Sequence, residues 1–257
     1  MAAVTPHRLR LGALAWVLTL QFFVVETIAQ LRYGGPYSRV DDVISALGAG
    51  ESAARQLMNA SFVVQGALIL GGALLLRPML HGGAGRAVPA LLGAAAVGVL
   101  LVGVFPSDAN STLHAVGAVL YLLGGGLGLV ALAYAVRPRS EALGTTVVLL
   151  GMLATAATVF FLAGVTGYLG EGGTERAAAY PLPIGLALTG VALWWIARRG
   201  DAAPEGTSMR AERARDRARR AELARERDAA LEAAARGNGS ADDAEPEDPW
   251  GPAGRRS

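Results

Sequence analysis

Glu26 is the first residue in the chain that could do chemistry. It lies near the end of the apolar run 11–31. An ionisable side chain in such a segment usually faces the protein interior or a water-filled cavity. There it would titrate as part of a carrier, or it would pair with Arg32 or Arg55. Arg32 is about 9 Å of helical rise away, at ~1.5 Å per residue. Gln30 stands one turn above Glu26 on the same face. A second polar group follows Phe105-Pro106: a short turn holds Asp108 and Asn110, and His114 opens the next apolar run. Asp108 and His114 would make an acid–base couple. A first-turn histidine can equally be a solvated or capping group. Tyr121 lies two turns below His114 on its face. Asp41 and Asp42 sit in the polar segment 32–55, and Asn59 and Gln65 open the run 56–76. The topology of the spans puts these nine residues (Glu26, Gln30, Asp41, Asp42, Asn59, Gln65, Asp108, His114 and Tyr121) in one leaflet, as a candidate outer-leaflet polar site.

Several chemistries are set aside. The chain has no cysteine, which removes disulfides, thiolate catalysis and Cys-ligated metals. Of its three histidines only His114 falls on the outer side, too few for a catalytic zinc or a bis-histidine haem. No phosphate-binding loop, nucleophile elbow or dinucleotide fingerprint occurs. No metal and no cofactor is expected. Catalysis is left open, with the balance against it. A net charge of +2 gives no reason to expect nucleic acid.

The elements that must position these residues are membrane spans. Hydrophobic residues make up 53% of the chain and charged ones 17%, and residues 57–76 carry no charge. About 20 apolar residues cross a bilayer as a helix. Six runs qualify: 11–31, 56–76, 87–105, 112–136, 142–165 and 177–197. The first, with its basic flank, is read as a retained anchor rather than a signal peptide. Arginines flank the N-terminus, the turns 77–86 and 137–139, and the exit at Arg198-Arg199. The positive-inside rule then makes both termini cytoplasmic. Asp41, Asp42, Glu51, Asp108, Glu171 and Glu175 fall in outer loops, where Arg32, Arg39, Arg55 and Arg176 are exceptions balanced by neighbouring acids. The expected fold is all-α: a six-helix polytopic bundle in a bacterial plasma membrane.

Smaller features complete the pattern. Ser38 and Asp41 have capping-box spacing. Val40, Val43, Ile44 and Leu47 recur at helical spacing, which predicts a short amphipathic helix on the membrane surface, its apolar stripe facing lipid or the bundle. Gly167–Arg176 reads as a polar, glycine-bearing loop, and Pro181 and Pro183 suit a first helical turn. Gly124-x-x-x-Gly128 and the other span glycines predict close packing inside the monomer. Thr145, Thr146, Thr155 and Thr158 are expected to bond to their own helix. The chain divides into a membrane domain, 1–199, and a cytoplasmic part, 200–257. Within the latter, Ser208–Arg236 is rich in Ala, Arg and Glu and predicts a helix, followed by a disordered acidic tail. The tail's arginines would rest on anionic headgroups.

Three segments carry a family resemblance: Asp42-Val-Ile-Ser-Ala-Leu-Gly48, Leu57-Met-Asn-Ala-Ser61, and Val102-Gly-Val-Phe-Pro106 followed by His114. Here the sequence resembles the bacterial membrane family known as domain of unknown function 998, over roughly residues 10–198. The resemblance implies a membrane fold and no particular activity. Where an acid is expected in the first of these loops, this chain has Ala46. The function expected is that of an integral membrane protein binding lipid or a small ligand in an outer-leaflet cavity, or serving as an accessory protein. A small proton-coupled transporter using Glu26, or an intramembrane lipid-modifying enzyme using Asp108 and His114, are the alternatives. Partners beyond membrane lipid are not indicated.

Overall fold

The computed structural model describes residues 5–50, 52–202 and 209–239; side chains are described to Arg199 and from 215 to 233. The elements are α1 (Pro6–Leu18), α2 (Gln21–Leu31), α3 (Arg55–Leu76), α4 (Gly82–Val104), α5 (Ser111–Val136), α6 (Glu141–Leu162), α7 (Gly170–Ala179), α8 (Pro181–Ala202) and α9 (Met209–Gly239). The chain divides into two compact units, Met1–Arg198 and Arg199–Ser257. The first is an all-α polytopic membrane unit. Six stretches are long and apolar enough to cross a bilayer: Pro6–Leu31, Arg55–Met79, Gly82–Val104, Ser111–Val136, Glu141–Leu162 and Gly170–Arg199. Lipid explains the outer surface: Leu149, Met152, Val159 and Phe160 on α6 are each more than half exposed, a row that water would not tolerate.

Two of the spans are each built from two helices. α1 and α2 meet at Thr19-Leu20, where Thr19 and Leu20 donate to Trp16 and Val17 three residues back, the tighter 3-10 pattern. The Thr19 hydroxyl donates to the carbonyls of Trp16, at 2.6 Å, and Pro183, at 3.2 Å, tying the break to the start of α8. The last span begins one helix earlier than its sequence pattern indicates. Gly167–Arg176, expected as a loop, contains α7 instead. Glycine disfavours a helix interior by about 1 kcal/mol relative to Ala, and tertiary contact overrides that here: Gly172 and Gly173 run against the backbone of Val40 and Asp42. A side chain at Gly172 would strike Asp42. Pro181 and Pro183 do open α8.

The glycines work within the monomer. A Cβ on Gly117 would lie 2.7 Å from the Gly98 carbonyl oxygen, and one on Gly124 would lie 2.8 Å from Ala95 N. α4 and α5 therefore touch backbone to backbone. Gly126 and Gly151 bring α5 against α6 in the same way, and Gly190 brings α8 against Ala13 of α1. In α6, Thr146, Thr155 and Thr158 donate to carbonyls four residues back, at 3.0, 2.8 and 2.7 Å.

All connections at one end of the bundle are tight: Arg77–His81 and Arg137–Ser140. There Arg139 Nε donates to the Met79 carbonyl at 3.0 Å. The connections at the other end are longer: 32–54, 105–110 and 163–169. This loop end carries the polar chemistry. The segment 32–54 folds inward over it. Ser38 does close a box, but within a single turn: its Oγ accepts from Asp41 N at 3.2 Å, and its own N–H is taken by Asp42 Oδ2 at 2.7 Å. Val43 then turns extended, and a five-residue 3-10 helix, Ile44–Gly48, follows. Ile44 and Leu47 are buried in the bundle core. The expected amphipathic helix is thus a short 3-10 plug: of its two expected facings, Ile44 and Leu47 take the bundle, while Val40 stays exposed. In the second unit, every side chain from 215 to 233 of α9 is exposed, as its sparse apolar content dictates. The expected acidic tail and Glu51 lie outside the described residues.

Candidate functional site

Glu26 is fully buried and surrounded by partners. Arg176 Nε donates to its Oε1 at 3.0 Å, Gln30 Nε2 at 3.1 Å, and the Tyr180 hydroxyl reaches Oε2 at 2.7 Å. Arg39 adds a second cation 3.4 Å from Oε1. The pairings expected with Arg32 or Arg55 are replaced by Arg39 of the loop and Arg176 of α7. A buried carboxylate persists as an ion only when paired and hydrogen-bonded, and this one is both.

Arg176 is itself saturated. Its Nη1 donates to three carbonyls, of Arg39 at 2.8 Å, Asp42 at 2.8 Å and Gly172 at 3.0 Å, and its Nη2 to the Tyr37 hydroxyl at 2.5 Å. The planar fork of arginine permits this many bonds where lysine would not. Tyr37 passes the contact on to the carbonyls of Asp42 and Val43. Burial pushes the Tyr37 phenol up to about 12, against the pull of the adjacent guanidinium. The arrangement is a latch that fastens the segment 37–44 to α2, α7 and the start of α8. Phe22, Phe23 and Tyr180 pack edge-on beneath it.

Beside the latch lies a small cavity of about 40 Å³. Its walls are apolar, with Phe22, Phe62, Val99 and Leu122 among them. Four polar side chains converge on it: Ser45 of the plug, His114 and Tyr121 of α5, and Glu175 of α7. Each has bonding capacity to spare. Glu175 Oε2 accepts the Ile44 N–H, which leaves Oε1. His114 Nδ1 lies 2.9 Å from the Phe105 carbonyl. A carbonyl only accepts, so Nδ1 carries a proton, and Nε2 is left for another partner. Among the described residues, the hydroxyls of Ser45 and Tyr121 bond to no side chain or carbonyl. One water occupies about 10–15 Å³ on this measure, so the cavity holds about three.

The nine residues expected as one site fall into separate places. Glu26 and Gln30 are in the latch, with Asp42 joined to it through its backbone. Asp41 accepts the Ser38 hydroxyl at 2.7 Å on the surface. His114 and Tyr121 line the cavity. Asn59 Nδ2 donates to the Gly48 carbonyl at 2.9 Å and closes the plug onto α3. Gln65 accepts from Gln21 Nε2 at 3.2 Å, in a cluster completed by Ser61. It does not reach Glu26. Asp108 Oδ2 accepts the Gly50 N–H at 3.0 Å, joining two loops, and it is exposed while His114 is buried. The two are bonded to different groups and form no couple. Glu175, Arg176 and Tyr180 were hidden because a glycine-rich segment looked like a loop. Their signal is spacing: Arg176 and Tyr180 stand four apart and share a helix face.

Neither the curated proteins nor the solved structures contain a match to this chain. A family model does match it: Protein of unknown function (DUF998), over residues 16–194. That interval runs from Trp16 in α1 to Trp194 in α8 and takes in the plug, the latch and the cavity, so the chain belongs to the DUF998 family.

Proposed function

We propose that this membrane protein binds a small polar ligand, one that donates hydrogen bonds, in the loop-end cavity. The convergence of Ser45, His114, Tyr121 and Glu175 on an otherwise apolar space carries this reading. Binding sites have this composition, with mostly apolar walls and a few polar groups that fix orientation. The free oxygen of the Glu175 carboxyl group and the His114 ring favour a ligand that brings hydrogen-bond donors, such as a short amine. The plug forms part of the wall, so entry requires it to shift. Glu26 is spent on its partners, which supports a structural role for it rather than that of a carrier's titrating group. The separation of Asp108 from His114 removes the support for the lipid-modifying alternative.

Thermal unfolding of the purified protein with added methylammonium tests the reading. A ligand specific to the folded state stabilises it by RT ln(1 + [L]/Kd). The melting temperature is expected to rise with methylammonium and not with tetramethylammonium, which has no N–H to donate. An Ala118→Phe variant fills the cavity and is expected to lose the response. No rise in the wild type, or an equal rise in the filled variant, overturns the proposal.

We further infer a plasma-membrane location with both termini in the cytoplasm. Arg8, Arg10, Arg77, Arg86, Arg137, Arg139, Arg198 and Arg199 all belong to the tight-turn end, which supports that orientation by the positive-inside rule. Reporter fusions after Arg86 and Arg139 are expected to read cytoplasm, and fusions at Asn110 and Gly172 the opposite side. A reversed pair refutes the orientation.

A further inference from the structure

We infer a binding site for one anionic phospholipid at the tight-turn end, in a groove that α1 and α8 open and Leu143 and Thr146 of α6 extend. Two observations meet there. The first is an apolar channel. A cavity of about 420 Å³ lined by Leu14, Val17 and Val191 adjoins another of about 630 Å³ lined by Val17, Leu20, Leu188 and Val191. Val17 and Val191 line both, so the two form one groove. From Arg10 to Leu20 it follows about 15 Å of helix, at ~1.5 Å per residue. Its walls are side chains that an acyl chain can lie against.

The second observation is the mouth. Arg10 and Arg198 both line the groove at its α1-start end. Both are exposed, and neither forms an ion pair among the described residues. The Arg198 guanidinium lies over the Trp194 ring, 5.0 Å from its centroid. That stacking restricts the guanidinium while leaving its N–H groups at the edge available. Two guanidinium groups that form no ion pair among the described residues, above an apolar groove, complement a molecule with a negative phosphate head and a hydrocarbon chain. A zwitterionic lipid would bring a second cation to the same place. Charge complementarity therefore selects the anionic class.

The full chain, reconstituted in nanodiscs of equal phosphatidylcholine and phosphatidylglycerol and read by native mass spectrometry after extraction, tests this. Phosphatidylglycerol is expected to be retained in preference. Replacing Arg10 and Arg198 together by Gln is expected to lower that preference about fivefold for each arginine. Replacing both by Lys keeps the charge and is expected to preserve it. Val191→Trp, which fills the groove, is expected to release the bound lipid of either class. Arg77→Gln with Arg86→Gln removes two charges from the same end but none from the groove, and is expected to leave the preference intact. Equal retention of the two lipids by the wild type overturns the site. So does a preference that survives loss of Arg10 and Arg198, or one that falls equally in the Arg77 and Arg86 variant, which marks a diffuse charge effect.

Discussion

Replacing Arg176 by alanine is expected to destabilise the membrane unit by about 3–5 kcal/mol, the cost of breaking a buried ion pair by removing one partner. Arg176 makes five hydrogen bonds beyond its own helix turn or within it: to Glu26, to the carbonyls of Arg39, Asp42 and Gly172, and to Tyr37. Its loss leaves Glu26 buried with one cation, a half-exposed Arg39. It also removes the guanidinium bonds to two carbonyls of the segment that carries the plug, leaving that of Asp42 with the Tyr37 hydroxyl alone. The melting temperature in detergent is expected to fall on the order of 10 °C. Arg176→Lys is expected to recover only part of the loss, because an ammonium cannot reach Glu26 and three carbonyls at once. Glu26→Gln keeps the shape and most of the bonds and is expected to be milder than Glu26→Leu. A double variant, Glu26→Leu with Arg176→Met, is expected to cost less than the sum of its parts, since it leaves no unpaired charge. An Arg176→Ala change below about 1 kcal/mol would show that the latch does not hold the fold.

Gly98 gives the second large effect. A Cβ there would lie 2.5 Å from the Gly117 carbonyl oxygen and 2.9 Å from the Leu120 carbonyl carbon. Both obstacles are backbone, so rotamer changes cannot relieve them and α4 must move off α5. Gly98→Leu is expected to cost at least the ~1–3 kcal/mol typical of overpacking, read as loss of the monodisperse folded protein or a lowered melting temperature. Gly93, on the same helix, meets only the Leu70 side chain, at 3.9 Å. Gly93→Ala is expected to be neutral, or stabilising by up to about 1 kcal/mol through helix propensity. Gly98→Ala measured beside it isolates the contact. Equal behaviour of the two alanine variants would refute the close approach of α4 and α5.

The bundle was legible in the sequence because a bilayer imposes its own length and polarity. An uncharged run such as 57–76 has one stable fate, and Pro181 and Pro183 can begin a helix but not continue one. Asn110 and Ser140 likewise cap α5 and α6 through their side chains, a local bond that residue type alone suggests. The burial of Glu26 follows from the cost of charge in hydrocarbon.

The identity of its charged partners does not follow, because they come from residues 13 and 150 positions along the chain, Arg39 and Arg176. Only packing brings them together. The same holds for the plug. Its spacing of Val40, Val43, Ile44 and Leu47 fits a surface helix, yet Glu175 takes the Ile44 N–H and Arg176 takes the carbonyls of Arg39 and Asp42, so the backbone bonds a helix would need are made elsewhere. The Gly170–Ala179 segment is the converse case: its glycines argue locally for a loop, and their lack of side chains is what lets it pack against Val40 and Asp42 as a helix. Local propensities differ by about 1 kcal/mol or less per residue, whereas a buried ion pair left broken costs several. Sequence alone therefore determined the spans, where lipid acts on every residue alike, and the tertiary structure decided the loop end, where a few long-range charged contacts outweigh local preference.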